Sequence, residues 1–96
     1  NFDQEINKDK PVVVEFYATA CRHCKKLAGA LNKLSEEKGD DVFFGKCNID
    51  QEALLQSRFD ISAVPTLLFI KNGEIKNRLV GEVHPLIIQE EIKKLA

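Results

Sequence analysis

Cysteine is scarce in this chain, with three among 96 residues. The odd count excludes the fully paired disulfide framework that staples small secreted domains. Long apolar runs are missing as well. No stretch approaches the ~18 consecutive apolar residues of a membrane-crossing helix, so no membrane partner is expected. Neither sign of charge is in excess: 14 basic and 15 acidic residues leave a formal net charge of −1. Without a basic stripe, no nucleic-acid partner is expected. A glycine-rich phosphate loop is also lacking, so no organic cofactor is expected. There is no linker, repeat or low-complexity segment. A single domain over 1–96 follows from the length, and a chain this long can bury an adequate core. A monomer is the default. The sequence opens on Asn1 with no visible signal peptide. A cytoplasmic location is the expectation, an extracytoplasmic one if Asn1 follows a removed signal.

What is present is strongly patterned. Phe2–Asn7 reads as a short helix. Val12–Ala18 is apolar and β-branched, the pattern of a strand buried on both faces. Cys21–Lys38 reads as a long helix with Leu27, Leu31 and Leu34 on one stripe, ended by Gly39. Val42–Asn48 is a second strand, and Gln51–Arg58 a helix with Asp50 as its N-cap. Thr66–Lys71 and Glu74–Val80 form a hairpin around Asn72-Gly73. A last helix opens near Pro85, with Ile88, Ile92 and Leu95 on its apolar stripe. The right-handed crossover rule makes the first two strands parallel. The expected fold is α/β, a mixed four-stranded sheet with helices on both faces.

The chemistry concentrates in Cys21-Arg22-His23-Cys24, at the junction of the first strand and the long helix. Two cysteines at this spacing in this context form a redox dithiol. The helix N-terminus offers free N–H groups and partial positive charge, which stabilise a thiolate. Cys21, before the helix, is the attacking thiol. Cys24, one turn in and shielded, resolves the mixed disulfide. Arg22 and His23 add positive charge that tunes the pair. His23 should favour the reduced form and place the reduction potential between about −270 and −180 mV.

Glu15 lies among apolar neighbours in the first strand. Burial there raises a carboxyl pKa, and a raised carboxyl near a thiol can shuttle its proton, here for Cys24. Lys46 in the second strand could pair with it across the ladder or stand as a solvated surface lysine. Val64-Pro65-Thr66 precedes the third strand, where a proline is tolerated. The residues alone leave the isomer of the Val64–Pro65 bond open. Cys47 reads as a small buried hydrophobe, and His84 as part of the last helix's start.

Two other functions compete. Cys21, Cys24, His23 and Cys47 could supply metal ligands, but a structural zinc site commonly needs a second paired motif, so no metal is expected. A non-catalytic binding module is the other alternative, although such a module usually lacks one of the two cysteines.

The chain resembles the thioredoxin family over nearly its whole length. The resemblance rests on Val14-Glu15-Phe16-Tyr17-Ala18, Cys21-x-x-Cys24-Lys25, Asn48-Ile49-Asp50, Ile61-x-x-Val64-Pro65-Thr66, Asn72-Gly73 and Gly81. It implies a thioredoxin-like fold lacking the first strand of a full thioredoxin. It implies a protein-disulfide oxidoreductase that acts on protein disulfides and exchanges electrons with a reductase or other donor. It also implies a cis Val64–Pro65 bond facing the dithiol, substrate pairing with the adjacent backbone, a buried acid at Glu15 and a lysine partner at Lys46. Departures are local. Ala20 replaces the usual tryptophan, removing a flat contact surface beside the thiol. Arg22-His23 replaces Gly-Pro, and Glu15 stands where aspartate is common. Glu15 and His23 are similar to protein disulfide isomerase domains.

Overall fold

The strongest β-forming segments of the sequence lie at the centre of the sheet. The computed structural model describes Gln4 and residues 9–95. In it, β1 (Val12–Tyr17) leads to α1 (Arg22–Lys38), a short 3-10 turn (Gly39–Asp41) and β2 (Phe43–Asn48). Then follow α2 (Ala53–Arg58), β3 (Thr66–Lys71), β4 (Glu74–Val80) and α3 (Pro85–Leu95). Of the helix expected over Phe2–Asn7, Gln4 alone is among the described residues, and its backbone is helical.

The sheet order is β2-β1-β3-β4. β1 pairs parallel with β2, as the crossover through α1 requires, and the other two pairings are antiparallel. Residues in a strand alternate between faces, so the two central strands feed two cores. On one face Val13, Leu67 and Phe69 meet Leu27, Leu31 and Leu34 of α1 and Ile88, Ile92 and Leu95 of α3. On the other, Val12, Val14, Phe16, Leu68 and Ile70 meet Cys47, Phe59 and Ile61. Burying each large side chain is worth about 1.5–3 kcal/mol, which explains why these strands are almost wholly apolar. β4 forms an edge, and its outer positions are exposed.

Asn72 and Gly73 both take positive φ, 54° and 78°, which matches the right-handed twist of the hairpin strands. The N-cap expectation for Asp50 is corrected. α2 begins at Ala53 with Glu52 in the cap position, and Glu52 makes no capping bond. The Asp50 carboxylate instead accepts from the Thr19 backbone N–H at 2.9 Å. Asn48 completes this junction, donating to Thr19 Oγ1 and accepting from the Asp50 N–H. A charged acceptor satisfying a distant loop N–H prevails here over a local cap. The far end of α2 is held from β4. There the Arg78 guanidinium donates to the carbonyls of Phe59 and Asp60 at 2.6 and 3.1 Å.

Candidate active site

The parallel β1–β2 edge ends in two adjacent loops, and the first of them delivers Cys21 to the head of α1. Cys21 is the N-cap, with extended φ −116° and ψ 108°. Its Sγ accepts from the Cys24 N–H at 3.1 Å, one of the free donors of a helix's first turn. Cys21 and Cys24 are joined as a disulfide with Cα atoms 5.2 Å apart. Cys24 is only 2% exposed, whereas Cys21 is half-buried. The helical turn thus gives the two sulfurs unequal access: one meets solvent, the other faces inward.

Behind Cys24 lies a cavity of about 160 Å³, bounded by Glu15, Cys24, Ala28 and Lys46 among others. Glu15 projects from β1 and is 1% exposed. Among the described residues its Oε2 has no hydrogen-bond partner. Burial pushes the Glu15 carboxyl above its ordinary value, and the nearby Lys46 charge partly opposes this. A protonated carboxyl costs less in such a place than a carboxylate. The cavity has room for water, so a proton can pass between Glu15 and the second sulfur without direct contact.

Lys46 stands opposite Glu15 in the parallel register. Its side chain is exposed, and no ion pair within 4.0 Å joins the two among the described residues. Its influence on Glu15 is therefore through space. Cys47, the next residue, points to the opposite core, 4% exposed. Burial first, and the Glu52 charge second, raise its thiol pKa. It is inert by the criterion that reactivity follows the thiolate.

The Val64–Pro65 peptide is cis. Both residues line an open groove together with His23, Glu82 and His84. The Pro65 carbonyl accepts from the Gly81 N–H at 2.8 Å, which binds the end of β4 to the groove floor. Among the described residues, neither the N–H nor the carbonyl of Val64 has a hydrogen-bond partner. Thr66, expected to contact substrate with them, turns its side chain inward. It is 1% exposed, and its hydroxyl donates to the Ala63 carbonyl at 2.7 Å.

Arg22 and His23 are both exposed on the first turn of α1. His23 Nδ1 lies 2.7 Å from Glu82 Oε1. Glu82 gave no signal in the sequence, because 59 residues separate the pair and only the fold joins them. The His23 hydrogen bond, above all, holds the Glu82 carboxyl below its ordinary value. His84 Nδ1 accepts from the Leu86 N–H at 3.1 Å, so His84 caps α3 as its sequence position suggested.

The fold agrees with that of the solved relatives of this chain. The thioredoxin family model matches residues 1–94. The chain belongs to the thioredoxin family. It is 38% identical to the thioredoxin of Alicyclobacillus acidocaldarius over 84% of its own length and 77% of that protein's. It is 40% identical to thioredoxin-1 of Saccharomyces cerevisiae, over 95% of this chain and 86% of the other. The crystal structure of Malassezia sympodialis thioredoxin superposes with a TM-score of 0.88 at 35% identity. That match covers 98% of this chain and 82% of that one. This family member is a thiol–disulfide oxidoreductase, and its redox centre is the Cys21–Cys24 pair.

Proposed function

We propose that this chain works as one domain and a monomer, reducing disulfides of extended protein segments in a cytoplasmic, reducing setting. The reading rests on the unequal access of the two sulfurs. The Cys21 thiolate attacks one sulfur of the substrate disulfide. A Cys21–substrate disulfide forms and the other substrate sulfur leaves as a thiolate. Glu15, as carboxylate, takes the Cys24 proton through the cavity. Cys24 then attacks Cys21 Sγ, the mixed disulfide breaks, and the second substrate thiol departs. Two electrons have passed from the dithiol to the substrate, and a reductase or comparable dithiol donor returns them. Lys46 offsets the charge on Glu15, while Arg22 and His23 favour the thiolate at the head of α1. Substrate backbone lies along Val64 and Pro65, where Val64 leaves donor and acceptor open. Thr66 holds this segment from within through Ala63.

Two measurements test the reading. Reduction of insulin disulfides with dithiothreitol as donor should require Cys21, and a Cys21→Ser chain with full activity would overturn it. Equilibration in graded glutathione buffers, with thiols counted by mass, should give a potential between about −270 and −180 mV. A value at or below the lower figure would remove His23 from redox tuning.

A further inference from the structure

The groove beside Pro65 carries a carboxylate that the redox chemistry does not use. Its walls include Val64, Pro65, Val83 and Pro85, all apolar. Among the described residues no lysine or arginine lines it, and its polar side chains are His23, Glu82 and His84. His84 Nδ1 is occupied as an acceptor at the head of α3. That leaves Glu82 as the carboxylate of the groove. Its Oε1 faces His23 Nδ1 at 2.7 Å. A carboxylate only accepts, so Nδ1 carries the proton in this pair. His23 thereby fixes the Glu82 side chain across the groove, from the first turn of α1 to the loop after β4. Among the described residues Oε2 has no partner, and the side chain is 41% exposed. Lys26 acts on Glu82 through space from α1 but does not line the groove.

We infer that Glu82 selects substrate segments carrying arginine or lysine close to the reactive cysteine, Oε2 receiving the cation while Oε1 stays on His23. This inference rests on the groove being the substrate site. It names the substrate class: apolar, extended segments with a basic residue beside the cysteine. An acidic residue at that place would meet the Glu82 carboxylate across an apolar surface and be disfavoured. The chain's formal net charge of −1 is too small to impose such a preference from a distance.

The test uses two disulfide-linked peptide dimers of identical composition, one with arginine beside the cysteine and the other with arginine at the remote terminus. Reduction by the full chain should favour the first in kcat/KM by about two- to fivefold, the range of an exposed ion pair. The preference should fade in high salt. Glu82→Gln should bring the ratio to about one, and Glu82→Lys should invert it. Equal rates with the parent chain, or a preference that survives Glu82→Gln, would overturn the inference while leaving the oxidoreductase reading intact. If neither peptide dimer nor insulin were reduced, that reading itself would fail and the inference with it.

Discussion

Asp50 Oδ2 accepts the Thr19 backbone N–H at 2.9 Å, tying the loop that presents Cys21 to the loop that follows β2. With Asn48 bonded to both residues, the position of the attacking sulfur depends on two strand ends rather than on its own short loop. Asp50→Ala should destabilise the fold by about 1 kcal/mol, below the usual range for a charged hydrogen bond because the site is exposed. Asp50→Asn keeps an acceptor and should recover most of that loss. Urea unfolding of the three proteins checks this, and equal midpoints would show the tie to be energetically idle.

Glu15 makes a kinetic prediction. Because it borders the cavity behind Cys24, Glu15→Gln should slow resolution by Cys24 more than attack by Cys21, roughly 10²-fold for loss of a general base. Stopped-flow traces should show a longer-lived mixed disulfide. An unchanged lifetime would exclude Glu15 from proton transfer.

The same residue makes a thermodynamic prediction with a definite sign. Its folded pKa is raised from 4.5, mainly by burial. Between the unfolded and folded values the native state therefore holds more protons than the unfolded state. The Glu15 contribution is fully present below about pH 4.5 and is lost as pH rises through the folded pKa. The stability of the parent chain should fall relative to Glu15→Gln as pH rises from 4.5 to neutrality. Urea titrations across that range measure the difference, and parallel pH profiles would contradict a raised pKa.

The asymmetry of the sulfurs predicts a trapping experiment. Cys24→Ser should accumulate a covalent complex between Cys21 and a protein disulfide substrate, since the resolving thiol is gone. Cys21→Ser should accumulate none, because Cys24 is only 2% exposed. Non-reducing electrophoresis and mass measurement distinguish the two. A complex formed equally through Cys24 would reverse the assigned roles.

Arg78 predicts a stability effect remote from the thiols. Its guanidinium bonds the carbonyls of Phe59 and Asp60, at the end of α2 and the start of the segment leading to Val64. Arg78→Ala should cost about 1.5 kcal/mol, the low end for hydrogen bonds to a charged group because Arg78 is exposed. Arg78→Lys should recover only part, because a single ammonium does not reproduce the guanidinium fork. Thermal or urea unfolding provides the comparison.

Much of the fold was legible because local chemistry and tertiary packing agree. The apolar, β-branched run of β1, the leucine stripe of α1 and the Asn72-Gly73 turn each impose a period or a backbone conformation by themselves. The dithiol was equally legible, since its spacing and the strand-to-helix switch lie within a few residues of one another. Contacts between distant segments were not. Asp50 looked like a helix cap because its neighbours suit one, yet the Thr19 N–H takes its carboxylate. Lys46 looked like an ion-pair partner because the register aligns it with Glu15, but its side chain is exposed. Thr66 shares a motif with Pro65, but strand alternation sends its side chain inward. Glu82 carried no pattern at all, and the fold sets it 2.7 Å from His23. The sequence by itself determined the elements, their order and the redox pair, because these depend on periodicity and short spacing. Tertiary structure alone decided which charges face one another, because a side-chain partner is selected by a separation in space that no local pattern encodes.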